Sequence, residues 1–350
     1  MKKVLVLLMT AVMATTIITG CGSNKTTKGN ENNQSSGNYV ATIGEQKIYE
    51  DEFKYFLSMS KQSIEQAYGV TDDASRKALW AQKIGDQTAE EFAKNMALTN
   101  VHEYELMLDK AKAAGYKVNE ADTKDMNSQF DTYVASLGSG EEGKKTYEKN
   151  NGITVDKAKT INENMTIVQN FYNDQLKATQ AADDEIKKYY DDNQDKYKEV
   201  TVKHVLFLTQ DQTTRQPLPQ DKQDEAKAKA EDILKRVKAG EDIAELAKQY
   251  SEDTGSKDKG GEYTFPKGQM VKEFEDWSFS AKVGDVGLVK TTYGYHVIKL
   301  EKILGFEDVK DTVKSAVVSK KFDDQLEQWK KDAKYVLKKN DAVYNNIKVS

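Results

Sequence analysis

Two of the three histidines of this chain, His204 and His296, lie in the middle of segments whose composition is typical of β-strands. Apolar residues alternate around each of them, as in TVKHVLFL around His204. A neutral imidazole donates one hydrogen bond and accepts another. Each ring can therefore serve a functional site, or it can be a satisfied core histidine with no part in proton transfer. We expect the third, His102, to be solvated or to pack between helices.

The composition excludes several classes of function. The 350 residues carry a formal net charge of −5, whereas a generic nucleic-acid binder presents a basic surface to phosphates. We therefore expect no nucleic-acid partner. One cysteine allows no internal disulfide and no multi-cysteine zinc site, and three histidines leave little for a metal centre. We expect neither a metal nor a cofactor. The length predicts two or three domains.

The N-terminus predicts export and lipid attachment. Lys2 and Lys3 precede an uncharged, mostly apolar segment, residues 4–18, that is too short to span a bilayer and indicates a cleaved signal. The following Ile18-Thr19-Gly20-Cys21 resembles the bacterial lipobox, which implies a signal peptide of residues 1–20 and diacylglycerol on Cys21. The alternative is an ordinary signal peptide with an incidental cysteine. Residues 21–38, rich in Asn, Ser, Gly and Thr, predict a flexible tether.

The next part of the chain is predicted to be mainly helical. Two short strands are expected over residues 40–48, and Asp51 is a candidate N-cap for the helix that follows. The clearest helix covers residues 88–114, where Thr88 and Glu91 have the spacing of a capping box and Gly115 follows the end. Further helices are predicted over 74–84, 119–137 and 154–178, with a Gly/Glu/Lys-rich loop between the last two, and a helix capped by Asp183 or Asp184.

The pattern changes at residue 199. Residues 201–208 form the best predicted strand, followed by helices over 222–239 and 241–250, a glycine-rich loop over 251–270, a short helix over 271–280, and strands over 284–290 and 294–301. Residues 306–339 are again predicted to be helical. This order predicts an α+β domain, residues 199–301, between two helical segments, 39–198 and 302–350.

The α+β domain resembles the parvulin-type peptidyl-prolyl isomerases along its whole length. The resemblance is carried by the segments Lys203-His204-Val205-Leu206, Ala239-Gly240-Glu241-Asp242-Ile243, Tyr250-Ser251-Glu252-Asp253, Gly268-Gln269-Met270 and Thr291-Thr292-Tyr293-Gly294-Tyr295-His296. It implies a parvulin-like antiparallel sheet with helices. It also implies an enzyme that catalyses cis-trans isomerisation of X-Pro peptide bonds.

The flanking segments resemble the foldase lipoproteins of the PrsA type, through VATIGEQKIYEDEF, LDKAKAAGYKV, ADDEIKKYYDDNQDKY and FEDVKDTVKSAVV. This resemblance implies an α+β fold in which the parvulin domain is inserted into a mainly α-helical chaperone domain. It implies an extracytoplasmic protein, lipid-anchored to the outer face of the cell membrane, that acts on unfolded exported polypeptides containing X-Pro. A homodimer is compatible with the sequence, which does not decide the oligomeric state.

The parvulin resemblance also implies the catalytic residues. His204 and His296 would meet at the centre of the sheet and hydrogen-bond each other, and Thr291 is the matching hydroxyl. Asp253 would face the carbonyl of the twisting amide. The alternative for Asp253 is that its carboxylate caps the loop after Ser251.

An apolar pocket for the proline ring is implied at Met270 and Phe274, with Tyr263 and Phe265 beside them. The spacing of Met270 and Phe274 places them four residues apart, which we interpret as one face of the short helix. The alternative is ordinary core packing, which we expect for Phe279.

One departure from the parvulin pattern follows Gly260-Gly261. The segment up to Phe265 is one residue shorter than in the family, so the usual apolar wall of the pocket is either replaced by Tyr263 or missing. A second function therefore stays open, a non-catalytic polypeptide-binding lipoprotein with a degenerate parvulin domain. A solute-binding lipoprotein is disfavoured, because the chain lacks a two-lobed alternating βα pattern.

Overall fold

The computed structural model describes residues 38–349. Cys21, the predicted signal peptide and the predicted tether up to residue 37 lie outside the described residues. The described residues divide into two units, unit 1 (residues 38–179 with 320–349) and unit 2 (Gln180–Ser319). Among the described residues, no helix is both long and apolar enough to cross a membrane.

Unit 1 is mainly helical. Its long helices are α1 (Glu50–Ala67), α2 (Asp73–Ala81), α3 (Ala89–Ala113), α4 (Glu120–Ser136), α5 (Glu141–Asn151) and α6 (Val155–Ala178). The predicted capping box of α3 is confirmed, since Thr88 Oγ1 accepts from Glu91 N at 3.1 Å and Glu91 Oε2 accepts from Thr88 N at 3.0 Å. The prediction that Asp51 caps α1 is wrong, because Asp51 lies in the first turn and its carboxylate binds Lys157 at 2.9 Å.

The two ends of the described chain meet in a small sheet of unit 1. Strand β1 (Tyr39–Ile43) lies between β2 (Gln46–Tyr49) and β9 (Leu337–Lys339), both antiparallel to it. The predicted helix over 306–339 is therefore too long: α12 (Phe306–Trp329) ends, a 3₁₀ turn (Ala333–Tyr335) follows, and β9 begins. A hairpin of β3 (Lys83–Ile84) and β4 (Gln87–Thr88) and the short helix α13 (Asp341–Tyr344) complete the unit.

The core of unit 1 is built from both flanks of the chain. Phe53 and Leu106 are fully buried there, and Phe322, Leu326 and Tyr335 join the same apolar cluster. His102 is also buried, and its Nε2 lies 2.7 Å from the Tyr335 carbonyl oxygen. Of the two expectations for His102, helix packing is the one observed.

A buried carboxyl group, Glu52 on α1, lies opposite Glu105 on α3. Burial raises the pKa of Glu52 well above its ordinary value, the charge of Glu105 and a hydrogen bond to Glu105 raise it further, and Lys157 opposes these effects. Within the described residues, Glu52 Oε1 has no hydrogen-bond partner. Two carboxyl groups joined by a hydrogen bond need a proton between them. The folded unit 1 therefore favours the protonated form of Glu52.

This pair predicts how the stability of unit 1 depends on pH. Because the pKa of Glu52 is higher in the folded than in the unfolded chain, its contribution to stability is full below the unfolded-state pKa and is lost as the pH rises through the folded-state pKa. We expect Glu52→Gln to raise the melting temperature of unit 1 at about pH 8 and to match wild type near about pH 4. Calorimetry of the full chain measures the melting temperature at each pH. The control is Glu45→Gln, in the exposed β1–β2 turn. An equal change of melting temperature at both pH values, or the same pH-dependent change in the control, would contradict the assigned role of Glu52.

Unit 2 contains a four-stranded antiparallel sheet of order β6-β5-β8-β7. The strands are β5 (Glu199–Leu208), β6 (Glu262–Pro266), β7 (Val286–Lys290) and β8 (Gly294–Ile303). The helices are α7 (Asp183–Asp192), α8 (Gln194–Tyr197), α9 (Gln220–Lys238), α10 (Ile243–Tyr250) and α11 (Lys272–Ser280). The expected cap at Asp183 or Asp184 is wrong, since Ala182 is the N-cap of α7. The α+β fold with its antiparallel sheet confirms the predicted fold class.

The sheet of unit 2 is buried on both faces. On one face, Val205, Phe207 and Val297 pack with residues of α9 and α10. On the other, Val200 and Ile298 pack with Phe274 of α11. Because side chains alternate along a strand, His204 and His296 share the second face with Val200 and Ile298. A separate apolar cluster of unit 2 joins Ile186 and Tyr197, which precede β5 in the sequence, with Val309 and Val313 of α12.

Candidate active site

The two histidines predicted from sequence meet on neighbouring strands. In the register of β5 and β8, His296 lies opposite Leu206, two residues from His204. The two Nδ1 atoms are 3.2 Å apart, and the rings are nearly parallel, with an interplanar angle of 20° and centroids 5.3 Å apart. Both side chains are buried. The sheet therefore holds two imidazoles in direct hydrogen-bond contact.

The histidine pair is extended at both ends. His204 Nε2 lies 3.0 Å from Asp253 Oδ2, and His296 Nε2 lies 2.9 Å from Thr291 Oγ1. Thr291 Oγ1 also accepts from the backbone N–H of Tyr293 at 3.1 Å. One continuous chain of hydrogen bonds thus joins Thr291, His296, His204 and Asp253.

Burial and charge indicate which side chains of this hydrogen-bonded series are protonated. Burial and the charge of His204 lower the pKa of His296 to about 3, so His296 is neutral at pH 7. The hydrogen bond from His204 holds the pKa of Asp253 well below its usual value, although partial burial acts in the opposite direction. With both imidazoles neutral, the contacts fit one direction: Thr291 donates to His296, His296 Nδ1–H donates to His204 Nδ1, and His204 Nε2–H donates to the ionised Asp253.

The loop that carries Asp253 is fixed to β5. Ser251 Oγ accepts from Leu206 N at 3.1 Å, and Glu252 N donates to Leu206 O at 2.9 Å. Asp253 Oδ1 accepts from Gly255 N at 3.1 Å. The carboxylate therefore caps its own loop with one oxygen and contacts His204 with the other, and its role toward the twisting amide stays a prediction.

Aromatic and apolar side chains border the histidine pair. The Phe274 ring is edge-on to His204 and to His296, with centroid distances of 5.3 Å to each. Phe274 is 3% exposed and Phe265, whose ring centroid lies 5.8 Å from that of Phe274, is 0% exposed, whereas Met270 and Tyr263 are half-buried. Met270 precedes α11, which starts at Lys272, so the expectation that it shares a helix face with Phe274 is wrong. Both still belong to one apolar cluster, in which Phe279 also packs.

The double glycine brings the chain back against β5. Gly260 and Gly261 have φ values of +72° and +74°, and His204 N donates to Gly261 O at 2.9 Å. A Cβ on Gly261 would lie 2.1 Å from His204 O, so only glycine fits. The chain then enters β6, where Tyr263 OH donates to Asp253 Oδ2 at 3.1 Å.

Sequence reasoning missed Ser256. This residue is 1% exposed, its Oγ donates to Asp253 Oδ2, and the same Oγ lies 3.2 Å from His204 Nε2. The sequence signal for it is a serine three residues after an aspartate in a glycine-containing loop, Asp253-Thr254-Gly255-Ser256. Short polar side chains in such loops form hydrogen bonds with nearby groups of the same loop. Within residues 38–349, no cluster of three or more His, Cys, Asp or Glu side chains has the arrangement to hold a metal ion.

Comparison with known proteins places this site in a family. Residues 185–304 match the PPIC-type PPIase domain. Foldase protein PrsA of Caldanaerobacter subterraneus subsp. tengcongensis is 29% identical over 325 residues, which are 92% of this chain and 90% of the relative. Foldase protein PrsA 3 of Bacillus cereus is 33% identical over 280 residues, 75% of this chain and 84% of the relative. The chain belongs to the PrsA family of foldases.

This PrsA-family foldase is a peptidyl-prolyl cis-trans isomerase, and the predicted enzyme class is confirmed. The matched domain, residues 185–304, contains the whole hydrogen-bonded chain from Thr291 to Asp253. A crystal structure of PrsA from Bacillus subtilis aligns with 72% of this chain and 89% of its own length, at 26% identity and a TM-score of 0.27.

Proposed function

We propose that this foldase works outside the cytoplasm, anchored through a lipid on Cys21 to the outer face of the cell membrane, and isomerises X-Pro bonds in exported polypeptides. The observation that carries the catalytic part of the proposal is the hydrogen-bonded series Asp253, His204, His296 and Thr291 beside Phe274, inside a matched PPIase domain. The lipid anchor rests on the sequence Ile18-Thr19-Gly20-Cys21. The chemistry breaks no bond, so it requires no metal or cofactor.

The proposed catalytic role of Asp253 follows from amide resonance. The planar X-Pro amide places negative charge on its oxygen and opposes rotation with a barrier of about 18–20 kcal/mol. An ionised carboxylate beside that oxygen disfavours the planar, charge-separated form and so favours the twisted one. Lowering the barrier by about 4 kcal/mol accelerates isomerisation about a thousandfold. His204, His296 and Thr291 keep the carboxylate oriented and its environment polar.

The proposed binding surface for the proline ring is the apolar cluster next to the histidines. Met270 and Tyr263 are half-buried and offer surface, whereas Phe274 and Phe265 are buried and pack in the same apolar cluster. An apolar ring gains free energy by leaving water against such side chains. We therefore assign direct contact with proline to Met270 and the Tyr263 ring, which Phe274 and Phe265 support.

A division of labour between the domains completes the proposal. The domain of residues 199–301 catalyses, and the helical segments 39–198 and 302–350 hold unfolded clients as the chaperone domain. The parts of these segments that lie in unit 1 share one apolar core, to which Phe53 and Phe322 both contribute. Neither activity needs ATP, which suits a compartment outside the cytoplasm.

A protease-coupled assay on an X-Pro peptide tests the catalytic part of the proposal. We expect the full chain to accelerate isomerisation and the Asp253→Ala variant to lose most of that acceleration. If wild type shows no activity on any X-Pro peptide, the non-catalytic binding function is the correct one.

Lipid attachment is tested at Cys21. We expect Cys21→Ala to block incorporation of labelled fatty acid and to leave an unprocessed or mislocalised precursor, because the only thiol of the chain is removed. Metabolic labelling followed by fractionation measures this. Labelling that persists in the variant would show that the anchor is elsewhere.

A further inference from the structure

Three donors converge on one oxygen of Asp253. Asp253 Oδ2 lies 3.0 Å from His204 Nε2 and accepts from Tyr263 OH at 3.1 Å and from Ser256 Oγ. Oδ1 accepts one hydrogen bond among the described residues, from Gly255 N. A carboxylate oxygen has about two lone-pair sites. Oδ2 is therefore fully occupied, and the open acceptor position is on Oδ1.

We propose that Tyr263 and Ser256 are positioning residues for isomerisation, which lock the Asp253 carboxylate so that Oδ1 is the atom directed at the X-Pro amide. This inference rests on the proposed role of Asp253. It gives Tyr263 a second task beside that of its ring, since the hydroxyl serves the carboxylate and not the substrate.

The pairing of β5 and β6 positions the Tyr263 hydroxyl beside the Asp253 carboxylate. In the register of β5 and β6, Tyr263 lies opposite Val202, whose side chain is on the same sheet face as His204. The Tyr263 ring lies against His204, with centroids 5.5 Å apart. A shift of one residue in β6 would turn Tyr263 to the opposite face. The shortened segment after Gly261 therefore decides which side chain reaches Asp253.

The loop of Asp253 leaves room for the Tyr263 hydroxyl because position 255 is a glycine. A Cβ on Gly255 would lie 2.9 Å from Tyr263 OH and 3.4 Å from Asp253 Oδ1. A larger residue at position 255 would thus displace the phenol from the carboxylate. Ser256 follows directly, and its buried Oγ bridges Asp253 and His204.

The electrostatics agree with this geometry. Burial, and then the charge of Asp253 and the hydrogen bond to it, raise the pKa of Tyr263. The phenol consequently stays a donor throughout the neutral range, and the carboxylate stays an acceptor. Charge-assisted hydrogen bonds of this kind fix orientation more strongly than neutral ones.

The test is a double-mutant cycle in the full chain. Tyr263→Phe keeps the ring and removes the donor, and we expect kcat on an X-Pro peptide to fall about five- to tenfold with KM within about twofold, the loss of one hydrogen bond to a charged acceptor. Ser256→Ala should lower kcat similarly. In an Asp253→Ala background, Tyr263→Phe should have no further effect. Tyr295→Phe, on the opposite sheet face, is the control and should match wild type.

The outcomes separate this inference from the proposed function. Unchanged kcat in Tyr263→Phe, or the same loss with and without Asp253, would overturn the positioning role. If Asp253→Ala keeps full activity, the proposed role of Asp253 itself fails. A second measurement needs no turnover: in protein labelled with ¹³C at tyrosine Cζ, the ionisation of Tyr263 should move to lower pH in Asp253→Ala, and an unmoved titration would contradict the hydrogen bond.

Discussion

Replacing Asp253 and Met270 together by alanine is expected to bring isomerisation close to the uncatalysed rate while client holding is retained. The carboxylate carries the proposed electrostatic effect, and Met270 contributes apolar surface for the proline ring. If catalysis lowers the barrier by about 4 kcal/mol, losing both groups should reduce kcat/KM about a hundredfold or more. The substitution leaves the donors of His204, Ser256 and Tyr263 without their acceptor, so we expect unit 2 to lose about 1–3 kcal/mol of stability and to remain folded at the assay temperature.

Two assays on the same sample measure this first prediction. X-Pro peptide isomerisation reports catalysis, and suppression of aggregation of an unfolded client reports holding. Asp258→Ala with Val283→Ala, an exposed acid and an exposed apolar residue of the same unit, is the matched control and should retain both activities. Loss of holding in the Asp253/Met270 variant would contradict the division of labour. Phe274→Ala is unsuitable here, because truncating a buried phenylalanine costs about 3–5 kcal/mol of folding free energy.

Gly261→Ala is expected to unfold unit 2 selectively. The new Cβ would lie 2.1 Å from the backbone oxygen of His204, at a φ of +74°. The backbone cannot move away there without breaking the hydrogen bond from His204 N to Gly261 O. We therefore expect unit 2 to lose about 4 kcal/mol or more of its free energy of unfolding. The indole resonance of Trp277, which lies in unit 2, should lose its native shift.

A matched glycine separates backbone strain from collision. Gly268 has a φ of +88°, and a Cβ added there would meet no atom within 4 Å. Gly268→Ala should therefore cost only about 1–3 kcal/mol, the strain of a left-handed residue alone. Equal destabilisation by the two substitutions would show that the contact with His204 is not what requires glycine at position 261.

The parts of the fold that the sequence predicts are those determined by local interactions. The capping box of Thr88 and Glu91 joins residues three apart, and α3 begins where it predicts. Alternation in TVKHVLFL places His204 on the face opposite to Val205, which the sheet of unit 2 confirms. The contact between His204 and His296 needed the family resemblance, because no local pattern pairs β5 with β8.

The errors arise where distant contacts override local preference. Strand β9 forms because Lys339 pairs with Ala41, a partner that helical periodicity at the C-terminus cannot reveal. The glycines around α5 predict a loop, yet a Cβ on Gly143 would lie 2.5 Å from the Val134 oxygen. That glycine permits close packing against α4. Ser256 escapes prediction because its importance depends on both Asp253 and His204.

NMR exchange spectroscopy on an X-Pro peptide tests the central claim most directly. With a catalytic amount of the full chain, we expect faster cis-trans exchange of the peptide. We also expect shifted resonances of His204, Asp253 and Met270 when peptide is in excess. In Asp253→Ala the faster exchange should be lost, whereas Met270 should still shift, because it binds the proline ring. Accelerated exchange without any shift at these three residues, or exchange that persists unchanged in Asp253→Ala, would contradict the assignment of the active site.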